Sequence, residues 1–143
     1  MSLSPREQDI AIPPAPVLRA VGITAATCVL VAVGASRWAA GPSGPGWAAG
    51  LGAGAAGLVT GLSALFFASA RPRPASLCGS FWLAATLVRF LLIPAVCLSI
   101  HWSAPEAGLA PVLATVGAYL ACLAAETATV VRLVHRSLEE TPR

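Results

Sequence analysis

Two charged residues stand inside otherwise apolar stretches of this 143-residue chain, Arg89 and Glu126. A guanidinium cannot neutralise itself by losing its proton. Arg89 therefore needs a carboxylate, a water-filled cavity or an exit to a polar interface. Glu126 is the candidate carboxylate, and an ion pair between the two is the most conspicuous chemistry in the sequence. The remaining reactive residues converge on nothing. Cys28, Cys78, Cys97 and Cys122 show neither CxxC spacing nor a histidine at ligand distance, so they read as small apolar fillers and not as zinc ligands. His101 and His135 fall in separate segments, and Glu139 and Glu140 lie in the tail among Arg136 and Arg143. No glycine loop ends in Lys-Ser/Thr to cradle a phosphate. No cofactor, metal, nucleic-acid partner or catalytic constellation is expected.

The elements that must hold Arg89 and Glu126 follow from composition. Hydrophobic residues make up 57% of the chain and charged residues 10%, and the mean hydropathy is +0.78. A soluble domain carries about 25% charge, and disordered chains are poor in apolar residues. An integral membrane protein remains. A bilayer core of about 30 Å needs about 20 apolar helical residues, and four stretches qualify: 20–36, 46–70, 77–102 and 109–131. The short links 37–45, 71–76 and 103–108 are punctuated by Pro or Gly, as helix ends are. The expected fold is all-α, a four-helix up-down bundle, with a Pro-rich leader at 1–17, a transmembrane domain at 18–134 and a tail at 135–143. Runs such as 28-CVLVAVGA-35 are apolar on every face, unlike the alternating strands of a membrane barrel.

Arginine alone sets the orientation, because the chain has no lysine. With the N-terminus inside, Arg6, Arg19, Arg71, Arg73, Arg132, Arg136 and Arg143 are cytoplasmic and Arg37 stands alone outside. The positive-inside rule then places both termini in the cytoplasm. Trp38, Trp47 and Trp102 fall together at the outer interface, where indoles collect. The first apolar run is longer than a signal-peptide core and lacks a net positive flank, so it is expected to be a retained helix. Pro13, Pro14 and Pro16 mark the leader as an extended cytosolic arm.

The second span is the most patterned. Gly50, Gly54, Gly57 and Gly61 follow the i, i+4, i+7, i+11 rhythm of one helix face. Such a groove lets backbones approach closely in lipid, where no hydrophobic effect pulls helices together. It either packs on the chain's own helices or docks a helix of another protein. Gly52, rotated about 200° from Gly50, stands off this stripe and is expected to tolerate a side chain better.

In the third span Pro94 cannot donate to the Phe90 carbonyl and should kink the helix. Arg89 falls about 18 Å along this span, near the midplane. An arginine there costs at least about 2.5–3.5 kcal/mol. Glu126 falls about 8 Å from the inner end of the fourth span, leaving an axial gap of about 10 Å that two long side chains can close. Thr127 and Thr129 are candidate hydroxyl contacts. Alternatively, Arg89 snorkels inward and Glu126 reaches the headgroup layer.

The order of these features resembles subunit I of bacterial F-type ATP synthases. The similarity is carried by the glycine-rich stretch 46-GWAAGLGAGAAGLVTGLSALFF-67, by 81-FWLAATLVRFLLIPAVCLSIHW-102 and by 109-LAPVLATVGAYLACLAA-125. Arg89 stands where the family has a basic residue and Pro111 where its fourth helix begins. The link 71–76 is shorter than in some members, and Glu126 has no clear counterpart. The resemblance implies a non-catalytic accessory protein of the bacterial inner membrane that assists assembly of the c-ring, with the c subunit as partner. A small oligomeric transporter or channel, for divalent cations such as magnesium, is the competing function. Magnesium prefers several oxygen ligands, and Glu126 is the only intramembrane acid. A lipid-handling role is a third possibility.

Overall fold

The structure, a computed structural model, describes residues 9–40, 46–67 and 69–139, with side chains at 12–39, 46–66 and 79–136. Helices α1 (Pro14–Ala40), α2 (Gly46–Phe67), α3 (Ala75–Ser103) and α4 (Ala110–Glu139) make up nearly all of it. Each is long and apolar enough to cross a membrane. The fold is all-α but for one small ribbon.

That ribbon corrects two expectations. The leader was expected to be an extended cytosolic arm with Pro13, Pro14 and Pro16 in it, and 71–76 a link. Instead Asp9–Ile12 forms a strand, β1, antiparallel to Ser69–Pro74, β2. Asp9 pairs with Pro74, Ile10 with Arg73 and Ile12 with Ser69, with an irregularity between Ile10 and Ile12. Pro72 falls within that irregular stretch, the kind of place to which strand prolines are confined. Helix α1 then begins at Pro14, earlier than residue 20. Pro14 and Pro16 sit in its first turn, whose N–H groups have no intrahelical acceptor in any case. At the other end of the chain α4 continues to Glu139, through the first half of the expected tail.

Helix α2 is central and touches all three others. Gly50 meets Val33, Gly54 meets Val29 and Gly57 meets Ala25, so α1 and α2 run in opposite directions. Along α4 the contacts advance with α2: Gly52 faces Thr115, and Ser63 lies on the same cluster as Glu126. The packing follows the helical period. On α4 the buried residues are Pro111, Thr115, Ala118, Cys122 and Glu126, and on α3 they are Ala85, Arg89 and Ile93, spacings that keep one face inward. Outside, residues such as Leu30, Leu58, Phe66, Leu87, Phe90 and Leu113 are exposed, as lipid-facing side chains must be. Pro94 lies inside α3, which continues as a helix on both sides of it. A short 3₁₀ turn at Pro105–Ala107 and Gly108, at φ 60°, joins α3 to α4.

Candidate functional site

The structure brings Arg89 and Glu126 together and buries both completely, at 0% exposure. Arg89 Nη1 lies 2.7 Å from Glu126 Oε2, and Nη2 donates to Oε1 at 3.0 Å. This is the end-on fork, through both terminal nitrogens, that matches guanidinium to carboxylate. Apart from this ion-pair contact, neither Nη1 nor Oε2 has a hydrogen-bond partner. Helix α2 supplies the rest of the shell. Arg89 Nε donates to Ser63 Oγ, and Nη2 also leans on the Thr60 carbonyl at 3.4 Å. Ser63 passes its own proton back to its helix, at 2.7 Å from the Val59 carbonyl and 2.9 Å from that of Thr60. Three helices thus meet at one guanidinium.

The two long side chains meet directly across the α3–α4 interface, as the expected pair required. Arg89 lies 14 residues, about 21 Å, from the start of α3 at Ala75, and Glu126 lies 13 residues, about 20 Å, from the end of α4 at Glu139. Measured on α2, however, Ser63 is only four residues, about 6 Å, from the helix end at Phe67. Helix α2 stops short on this side. The space beyond it is filled from the ribbon: Ile12, only 5% exposed, packs with Val17, Ala64, Ala85, Trp82, Val130 and Leu133.

Ser63 and Thr60 were missed by the sequence reading, which treated the second span only as an uncharged glycine surface. The available signal was Ser63, one of two hydroxyl residues in a helix otherwise built of Gly, Ala, Leu, Val, Phe and one Trp; Thr60 contributes a backbone carbonyl, which carries no signal in the sequence. The expected helpers are elsewhere. Thr127 is exposed, and the Thr129 hydroxyl donates to the Ala125 carbonyl at 2.7 Å. The carbonyl that Arg89 reaches is not that of Phe90, the one freed by Pro94, but that of Thr60 across the helix interface.

The glycines divide between two neighbours. A Cβ on Gly50 would lie 2.7 Å from Val33 Cγ2, and one on Gly57 would collide with Ala25 Cβ. Gly54 has room for a methyl group, 3.7 Å from Val29, and Gly61 has open space. The upper stripe is therefore occupied by α1 of the same chain. Gly52 reverses its expected tolerance. Its Cβ would strike Thr115 Oγ1 and come within 2.9 Å of the Pro111 carbonyl. A central helix has two packed faces, so rotation off one stripe turns a residue into the other.

No family model, curated protein or solved structure matches this chain. Its chemistry has to be read from the site itself. Among the described residues no three His, Cys, Asp or Glu side chains gather as a metal site, and Cys28, Cys97 and Cys122 are free thiols. The hydroxyls are turned inward on their own helices: Thr24, Thr27, Thr60, Thr86, Ser99, Ser103 and Thr115 each donate to the carbonyl four residues back. Such bonding satisfies a hydroxyl without water. What the arrangement can do is hold α2, α3 and α4 in one register, because a misaligned pair would strand two charges in a medium of low dielectric.

Proposed function

We propose that this chain is a non-catalytic accessory protein of the bacterial inner membrane, with both termini in the cytoplasm, that assists assembly of the F-type ATP synthase c-ring. The observation that carries the non-catalytic part is the closure of the Arg89–Glu126 pair. Both intramembrane charges are consumed by each other and by Ser63 and Thr60, and neither is exposed to a substrate. A transporter working through these residues would need them to face a conduit. The outer surface offers mainly apolar side chains, suited to lipid or to another helix. The partner is taken from the resemblance to subunit I, to which Arg89, Pro111 and the glycine-rich α2 contribute.

The test is a pull-down in mild detergent with the chain tagged at its C-terminus, paired with a measurement of assembled c-ring in cells lacking the chain. Recovery of c subunit and a reduced ring yield are the expected results. Normal ring yield together with cation flux through proteoliposomes of the purified chain would overturn the proposal in favour of transport.

A further inference from the structure

The two ends of the bundle differ sharply in charge. Arg19, Arg71, Arg73, Arg132 and Arg136 gather at the end that carries β1 and β2, against Asp9 and Glu139 among the described residues. The opposite end has Arg37 and Glu106, which cancel. The arginines come from three separate pieces of chain: the start of α1, the strand β2 and the last turns of α4. The ribbon brings them together, since β1 packs against α3 and α4 while its partner β2 carries Arg71 and Arg73.

Their depth is that of a membrane interface. Arg132 and Arg136 lie six and ten residues beyond the buried Glu126, about 9 and 15 Å along the helix. Arg19, Arg132 and Arg136 are all exposed. On the exposed face of α4, Leu120, Ala124 and Ala128 precede Arg132 and Arg136 at four-residue spacing, and Val131 is exposed as well, so an apolar stripe leads up to the two arginines. A guanidinium above an exposed aliphatic residue on a membrane-spanning helix suits a ligand with an anionic head and a hydrocarbon tail. Arginine's planar fork matches phosphate oxygens in particular.

We propose that this arginine-rich end is a binding surface for anionic phospholipid, with Arg132 and Arg136 of α4 holding the headgroup phosphate. Free phosphate has no use for the exposed apolar residues, and the surface is assigned to the lipid for that reason. The surface is independent of any role in ATP synthase assembly.

The test uses the full chain purified in mild detergent and stripped of native lipid. Phosphatidylglycerol and phosphatidylcholine are added in equal amounts, and retained lipid is read by native mass spectrometry. Wild type should retain phosphatidylglycerol preferentially, and less of it as salt is raised. Each basic residue near an anionic surface strengthens binding by about fivefold. Arg71→Gln/Arg73→Gln and Arg132→Gln/Arg136→Gln should therefore each weaken it by about 20-fold or more, whereas Arg37→Gln at the opposite end should leave it unchanged. If the β2 double variant fails to fold by circular dichroism, the α4 double variant, outside the ribbon, still decides the matter. Equal retention of the two lipids, an equal loss in Arg37→Gln, or displacement of the lipid by millimolar inorganic phosphate would each overturn the proposal.

Discussion

Arg89 and Glu126 are each other's main reason for being tolerated. Removing one partner of a buried pair typically costs about 3–5 kcal/mol, because the remaining charge is left without compensation. Arg89→Leu and Glu126→Leu should each lower the thermal midpoint in detergent strongly, while the double variant recovers most of the loss. Additive losses in that cycle would show that the two side chains act separately. Arg89→Lys should be intermediate, since an ammonium keeps the charge but loses the fork that reaches Ser63 and both carboxylate oxygens. The glycines give a second contrast at this scale. Gly52→Leu, aimed at Thr115 and Pro111, should reduce folded yield more than Gly61→Leu, which enters open space. Equal yields would remove close α2–α4 packing as an explanation for Gly52.

Among the elements, α2 decides the architecture because it is short and packed on opposite sides. One face takes α1 at Gly50 and Gly57, and another takes α4 at Gly52. Its early end at Phe67 leaves a gap that β1 closes, with Ile12 as the plug. Truncating a large buried aliphatic side chain costs about 2–5 kcal/mol when the cavity cannot collapse. Ile12→Ala should therefore loosen the ribbon before it unfolds the helices. Hydrogen exchange is the appropriate reading: amides in 69–74 should exchange at least about tenfold faster in the variant, while those in the middle of α4 stay protected. Uniform acceleration along the whole chain would mean that the ribbon has no stability of its own to lose.

For the whole molecule, the arrangement of arginines argues for one orientation in the bilayer. The arginine-rich end carries β1 and β2, and Trp38, Trp47 and Trp102, all strongly exposed, mark the opposite one. A cysteine placed at Ser43, which lies outside the described residues, is expected to react with an impermeant thiol reagent from the outer side. The background would lack Cys28, Cys78, Cys97 and Cys122. Labelling only from the cytoplasmic side would invert the proposed topology.

Composition and the placement of the apolar runs determined that the chain has four helices long and apolar enough to cross a membrane, because the backbone of so apolar a chain must satisfy its hydrogen bonds internally. It also marked Arg89 and Glu126, since charge in an apolar run has few permitted explanations. Their partnership and the contributions of Ser63 and Thr60 were decided by tertiary structure. Which face of α2 meets α3 depends on helix rotation and on where each helix stops, and apolar sequences with weak one-sided patterning leave both open. The same limit hid the second role of the glycines, because Gly52 reads as off-stripe until a helix is placed against that side. The ribbon was hidden for a different reason. β1 and β2 lie more than 50 residues apart in sequence, and neither has the alternation of a half-buried strand; they pair because the short end of α2 leaves a space that Ile12 fills.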